Sequence, residues 1–462
     1  MKNFLRYFLS SALLLSSLAV LAVGSNNCRS GGSANSFNCD GSNIPIPTNC
    51  GSGCSASFTS TSCAVARQFD KPAGYLNLRS TGANTARELV GWQWVIHGGQ
   101  GRLGESFGAA TLAYEYQRSF WNYNLARALV GSDNIVLQGS HITGADRNPL
   151  ALVADMFGLP NDFDGSVALS PQIQNHTIDF NAFYAFGDCG SCWDGAYVRL
   201  HAPLTIGKWS VNLCSGNSVS TDTYQACQFG SSEYAPVETA IAALEGKALL
   251  ASDSNLRLLQ AGYFSSCDKY KVRLADIDLI AGYNLIWEEA KHLGTYLQLV
   301  VPTGNKPDGR VLFQTVVGNR QHVEFGGGIS AHGVFWDNQC DQSLSGHFEG
   351  NVTHMFTNHQ DRLLDFKNNG YLSRYALLRE FGADALTPTG KLFSATSTNL
   401  QSVNVGVSVK GDATFKLAYR WCGFGVDLGY NIYGHSAESL TARYCDKNAG
   451  CNGFKGNYGI AG

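Results

Sequence analysis

Gly104-Glu105-Ser106-Phe107-Gly108 matches the G-x-S-x-G pattern with which serine hydrolases expose a nucleophile, and His97-Gly98-Gly99 just upstream has the composition of an oxyanion-hole loop. The chemistry would be acyl transfer through Ser106. Such an elbow needs a strand before the serine and a helix directly after it. After Ser106 the sequence alternates instead, with Ala110, Leu112, Tyr114 and Tyr116 on one side and Ala109, Thr111, Ala113, Glu115 and Gln117 on the other. That is a strand period, so Ser106 reads as a residue at the entrance of a strand.

Other chemistry-bearing residues fare no better as catalysts. Asp276 and Asp278 share a strand face, and His201, His332 or His347 could approach them at a rim, as a barrel protease or phospholipase would need. Alternation alone, however, puts acids and histidines on the polar face of any water-filled barrel. Metal ligation by His322, Glu324 and His332, or by His354 with His359, fails on reach, because eight further residues of strand carry His332 tens of ångströms from Glu324 at ~3.4 Å per residue. Cys189-Gly190-Ser191-Cys192 has redox spacing but no βαβ pattern around it, and reads as a loop staple. No enzyme activity, cofactor or metal is expected.

What these residues do share is position on strands. In "TIDFNAFYAF", Ile178, Phe180, Ala182, Tyr184 and Phe186 face one way, and Asp179 and Asn181 the other. After a turn, Ala196, Val198, Leu200, Ala202 and Leu204 face outward and Tyr197, Arg199 and His201 inward. Ile277 to Leu285 alternates with Asp276, Asp278 and Asn284, and pairs as a hairpin with Leu293 to Val301 through the short "WEEAKH" turn. "VPTGNKPDGR" is then a long loop. Val323 to Phe335 and Phe348 to Phe356 repeat the scheme, with Glu324, His332, His347 and Glu349 inward; Val403 to Val409, Phe415 to Trp421 and Phe424 to Ile432 do so again, with Lys410, Lys416, Arg420 and Asp427 inward. Aromatic residues near strand ends (Trp193, Trp209, Trp287, Phe335, Trp336, Trp421, Tyr433) fit interfacial girdles. "NPLALVADMFG" and "PVETAIAALEGKALL" read as short loop helices.

Composition agrees. Charged residues make up 15% of the chain, 52 residues are glycine and 11% are aromatic; charge is below, and glycine and aromatic usage above, ordinary soluble domains, which favours strands. The net charge of -3 and the lack of a basic run exclude nucleic acid as a partner. Lys2 and Arg6, an apolar run from Leu13 to Val23 and small residues at Ala22 and Gly24 read as a signal peptide over 1–24. Residues 25–72 form a Cys/Gly/Ser-rich, low-complexity extension, and 73–462 the barrel. The fourteen cysteines are then compatible with disulfides at loop tips; the candidates are Cys189, Cys192, Cys214, Cys227, Cys445 and Cys451.

The blocks "ARELVGWQWVI", "YEYQRSFW", "AYVRLHAPL", "VRLADIDLIAGYN", "VVPTGNKPDGRVLFQTVVGN", "VEFGGGISAH" and "FEGNVTHMF", in this order, resemble a family of large paralogous outer-membrane β-barrel proteins, porin-like, from Gram-negative host-associated bacteria. The resemblance implies an all-β antiparallel transmembrane barrel, and the region's length about 12 to 18 strands. The end at Asn457 to Gly462 resembles a family member lacking its last strand or strands. The expected function is passive diffusion of small hydrophilic solutes across the outer membrane, with outer-membrane lipid around the barrel and a homo-oligomer as a possible assembly. Pore-lining candidates are Asp179, Arg199, His201, Asp276, Asp278, Glu324, Glu349, Lys410, Lys416, Arg420 and Asp427, a mixed set without a ring of one sign. The alternative is a non-conducting barrel for structure, surface display or adhesion.

Overall fold

A computed structural model describes residues 78–92, 105–188, 193–219, 234–235, 237, 239–250, 256–288, 290–338, 342–366, 372–381, 388–442 and 458–461. Eleven strands make one antiparallel sheet: β1 (Glu105–Arg118), β2 (Gln172–Asp188), β3 (Ala196–Ser210), β4 (Lys269–Leu274), β5 (Ile277–Glu288), β6 (Lys291–Val301), β7 (Glu324–Asp337), β8 (Gln342–Leu363), β9 (Leu400–Trp421), β10 (Phe424–His435) and β11 (Glu438–Ala442). Their lateral order is β1-β2-β3-β5-β6-β7-β8-β9-β10, with β4 continuing along β3 and β11 along β9. The sheet curls strongly into a half-barrel. It differs from the closed form of about 12 to 18 strands in that β1 and β10 do not pair with each other among the described residues.

The break between β4 and β5 has a cause in β3. The Pro203 carbonyl accepts from Ala275 N at 2.7 Å, so its own missing N–H lies on the same side, and the ladder cannot run through this point. Asp276 takes a left-handed φ of 74° there, and pairing with β3 resumes at Asp278.

Alternation sets the two faces. Ile178, Phe180, Val198, Leu279, Leu297, Phe325, Val352 and Phe415 are exposed on the convex side, while Asp179, Arg199, Asp278, Glu324 and Glu349 are buried on the concave side. β5 and β6 form the expected antiparallel hairpin, pairing Ile277 with Val301 and shifting register between Asn284 and Ile286. One expected face fails: Val403, Val405 and Val407 are buried but Val409 is exposed, because the β8–β9 register shifts between Thr353 and Asn358, and a bulge reverses the side on which each following residue points.

Tyr197 and Tyr296 lie flat on glycines of the neighbouring strand. A Cβ on Gly282 would stand 2.2 Å from Tyr197 Cζ, and one on Gly328 2.3 Å from Tyr296 Cζ. Both rings are buried, so Gly282→Ala is expected to force Tyr197 from its seat and cost about 1–3 kcal/mol by overpacking. A urea midpoint for refolding checks this; an unshifted midpoint would mean the ring has room to move.

The two ends of the sheet differ. At one end β5 and β6, β7 and β8, and β9 and β10 follow each other after a few residues; at the other the chain leaves for 119–171, 211–268, 302–323 and 364–399. These long connections form small sheets, one of them built from Asn134–Gln138, Leu152–Val153, Asp164–Leu169 and Leu213–Val219, over a core that includes Leu137, Phe157, Leu244, Phe264 and Tyr375. The two expected loop helices are shorter than read. Residues 148–158 form a short strand at Leu152–Val153 and a 3-10 turn at Ala154–Phe157, closed by Gly158 at φ 79°, and 236–250 keeps a helix only over Ala240–Leu244. Of the girdle aromatics, Trp193, Phe335, Trp336 and Trp421 are exposed at the short-turn end. Trp209 and Trp287 are instead buried, Trp209 against Phe313 and Trp287 against Phe107. Cys214 is disulfide-bonded, as is Cys267, which was not a candidate; Cys189, Cys192, Cys227, Cys445 and Cys451 lie outside the described residues.

Candidate functional site

The half-barrel's concave face carries a charged network that would be unstable bare. It is covered by residues 78–92, a strap ending in helix α1 (Thr85–Trp92). Asn84 starts the helix as an N-cap should: its Oδ1 accepts from the amides of Ala86 at 3.1 Å and Arg87 at 3.4 Å. The strap then reaches both sides of the sheet. Arg79 pairs with Asp412 on β9 and donates to Asn431 Oδ1 on β10 at 2.6 Å. Thr85 gives its amide to Asp412 at 3.1 Å and its hydroxyl at 3.0 Å. In the other direction Arg87 pairs with Asp179 on β2 and with Glu115 on β1, the latter at 2.6 Å.

Beneath the strap the sequence-predicted residues come together. Arg199 Nη2 lies 2.9 Å from Glu349 Oε1, with its guanidinium 4.7 Å from the Tyr296 ring centre. His201 sits between two carboxylates, Nε2 at 2.7 Å from Asp179 and Nδ1 at 3.0 Å from Asp278. Lys410 pairs with Glu324, which also accepts from Asn319 Nδ2 at 2.9 Å and Thr353 Oγ1 at 2.8 Å. Asp276, turned inward by the break, accepts from Ser80 of the strap at 3.1 Å and from the Asn319 amide at 2.7 Å. All of these barrel side chains are buried. Desolvation of so many charges is offset only because nearly every one has an opposite charge and further hydrogen bonds.

Three candidates lie apart from this centre. Lys416 reaches Asp427 at 3.3 Å across β9 and β10, where Asp427 is exposed. Arg420, four residues further along the same face of β9, is half-buried.

A second cluster was missed in reading the sequence. His292, His332 and His347 stand opposite one another on β6, β7 and β8, with ring centres 6.4 Å and 5.5 Å apart and nearly parallel planes. His332 thus meets its cross-strand neighbours, and not His322, which is bonded in the 302–323 connection to Gln360 and Phe356. The signal was present, since alternation puts all three on the polar face near the short turns; their alignment depends on register, which alternation does not give.

Ser106 does not stand at an elbow. Ser106 lies within β1, where its Oγ donates to the Gly187 carbonyl at 3.1 Å and accepts from the Gly187 amide at 3.0 Å. His97 to Gly99 fall outside the described residues. His201 does meet Asp278, and Asp179 faces its other ring nitrogen. What the geometry does chemically is bind the strap and hold charge. Comparison with family models, curated proteins and solved structures finds no match to this chain.

One member of the network differs from the rest. Glu88 projects from α1 into the cluster, buried, and its carboxylate accepts no hydrogen bond and has no ion pair within 4.0 Å among the described residues. Burial pushes its carboxyl up to about 7, against the downward pull of His201 and Arg199. Neither it nor Arg79, Arg87, Asp412 and Glu115 was read as a site residue. Residues 78–92 fall in the stretch expected to be barrel, although Asn84 followed by Thr-Ala-Arg-Glu is a readable helix start.

Proposed function

We propose that the protein is an outer-membrane β-barrel of the porin-like kind, exported by its first 24 residues, whose passage for small hydrophilic solutes is held closed by its own N-terminal strap. The observation that carries the reading is the sorting of the sheet: apolar side chains predominate among those exposed on the convex face, and charges such as Asp179, Arg199, Asp278 and Glu349 are buried on the concave one. A water-soluble sheet would cover that convex surface, since exposed apolar patches of this extent need a partner, and lipid is the partner that suits a curved band of Leu, Ile, Val, Phe and Tyr. Short turns at one end and long connections at the other are the asymmetry of outer-membrane barrels.

The mixed, paired charges and the strap above them favour a narrow resting state over an open pore. Loosening the strap should therefore raise conductance. In planar bilayers the full-length protein is expected to give few or small openings, and Arg79→Ala combined with Thr85→Ala larger and more frequent ones. If the double variant, folded by heat-modifiable migration on a gel, stays silent, solute passage is wrong. The long connections packed over their own core, with Cys214 and Cys267 disulfide-bonded, then favour the second reading, a non-conducting barrel that displays a rigid cap.

A further inference from the structure

The cluster of Glu88, His201 and Asp278 has the makings of more than a charge network. One donor atom from each of these buried residues lies within 4.8 Å of the other two. They come from three elements, α1, β3 and β5, so the point on which they converge is also where the strap meets the barrel wall. We propose that Glu88, His201 and Asp278 bind a divalent first-row transition ion, with zinc the best fit, and that this ion latches the strap to the half-barrel.

Three observations carry the assignment. The first is Glu88 itself, a buried carboxylate aimed into the cluster with no hydrogen-bond or ion-pair partner among the described residues. A buried carboxylate left so is costly unless something positive or a proton meets it.

The second is charge. Around His201 stand four carboxylates, Asp179, Asp278, Glu88 and Glu349, and two guanidinium groups, Arg87 and Arg199. Within this group Asp179 and Asp278 both face the His201 ring and Glu88 stands beside them, a gathering of acid that favours a cation at this point.

The third is the partner of the other ring nitrogen. A metal-bound histidine commonly gives its second N–H to a carboxylate, which fixes the ring and raises its basicity. His201 Nε2 stands 2.7 Å from Asp179, and Asp179 is itself held by Arg87 of the same helix that carries Glu88. Nδ1 shares a 3.0 Å hydrogen bond with Asp278, and an ion bound between the two would replace that contact and take Nδ1 as its ligand atom. One imidazole and two carboxylates are a borderline-to-hard donor set that suits zinc, at about 2.0–2.2 Å from each.

The proposal stands whether or not the barrel conducts. Its test is zinc titration of the full-length protein, folded in detergent after chelator treatment, by calorimetry in two buffers of different ionisation enthalpy, with cobalt as a spectroscopic substitute. One ion per chain is expected, with a cobalt visible band from an N/O site. Glu88→Gln and Asp278→Asn should each weaken binding at least tenfold, and Asp179→Asn by roughly ten- to a hundredfold through the orienting contact. His347→Gln, in the separate histidine row, should leave binding unchanged. Wild-type protein that migrates as folded but takes up no zinc would overturn the site, as would equal affinity in Glu88→Gln. Loss of cobalt binding in His347→Gln but not in Glu88→Gln would move the metal to the histidine row and overturn it too.

Discussion

Leu279→Arg is expected to destabilise the protein folded into lipid vesicles by about 2–4 kcal/mol if Leu279 sits near the bilayer midplane. Leu279 lies on β5, exposed on the convex face, opposite Leu200 of β3 and Leu299 of β6. Its row is apolar across three strands, and its side chain has no route to the polar side because the pleat points it away. An arginine there must carry its charge into hydrocarbon or bend toward the interface. Ile280, the next residue, faces the concave side and is buried. Urea titration of vesicle-folded protein measures the cost. Leu279→Arg without effect in lipid would count against the membrane reading more directly than silence in a conductance trace, since it tests the wall and not the lumen.

The largest effect expected inside the wall is at the pair of Arg199 and Glu349. Arg199→Met leaves Glu349 buried with its 2.9 Å partner gone and should cost about 3–5 kcal/mol, the usual penalty for stripping one member from a buried ion pair. It also removes the cation over Tyr296. The companion Arg199→Met with Glu349→Met should recover most of the loss, because two apolar side chains of similar volume need no desolvation. If the double change costs as much as the single one, the pair holds the strands through packing and not through charge. Denaturant midpoints of the three variants decide between these results.

How far the residues themselves announced this structure varies from place to place. Strand faces were readable wherever one side meets apolar surroundings and the other polar ones: Ile178 against Asp179 and Leu200 against Arg199 sort by the two-residue period alone. Bulges were not readable. Val403 to Val409 alternates cleanly as letters, yet the register slip on β8 and β9 divides it between two faces. Trp209 and Trp287 had the right residue type for a girdle, but interface and core both accept tryptophan, and only the neighbours Phe313 and Phe107 tell them apart. The charged centre was half legible. Its wall residues followed from alternation, whereas Arg79, Arg87 and Glu88 belong to a segment without strand period, and nothing local states that it folds under the sheet.

The strap also sets an order of events. Arg79 meets Asn431 across 352 positions of chain, and Thr85 meets Asp412 across 327. Loop-closure entropy for such contacts is met only once the intervening chain has condensed. The strap is made before any strand of the sheet, yet its contacts to Asp412 and Asn431 form only after β9 and β10 exist to receive them. Until that moment the acids and bases of the concave wall stay hydrated, so the final docking step is the one that dries the interior. A chain stalled before it would have its strands in register and its inner surface still wet.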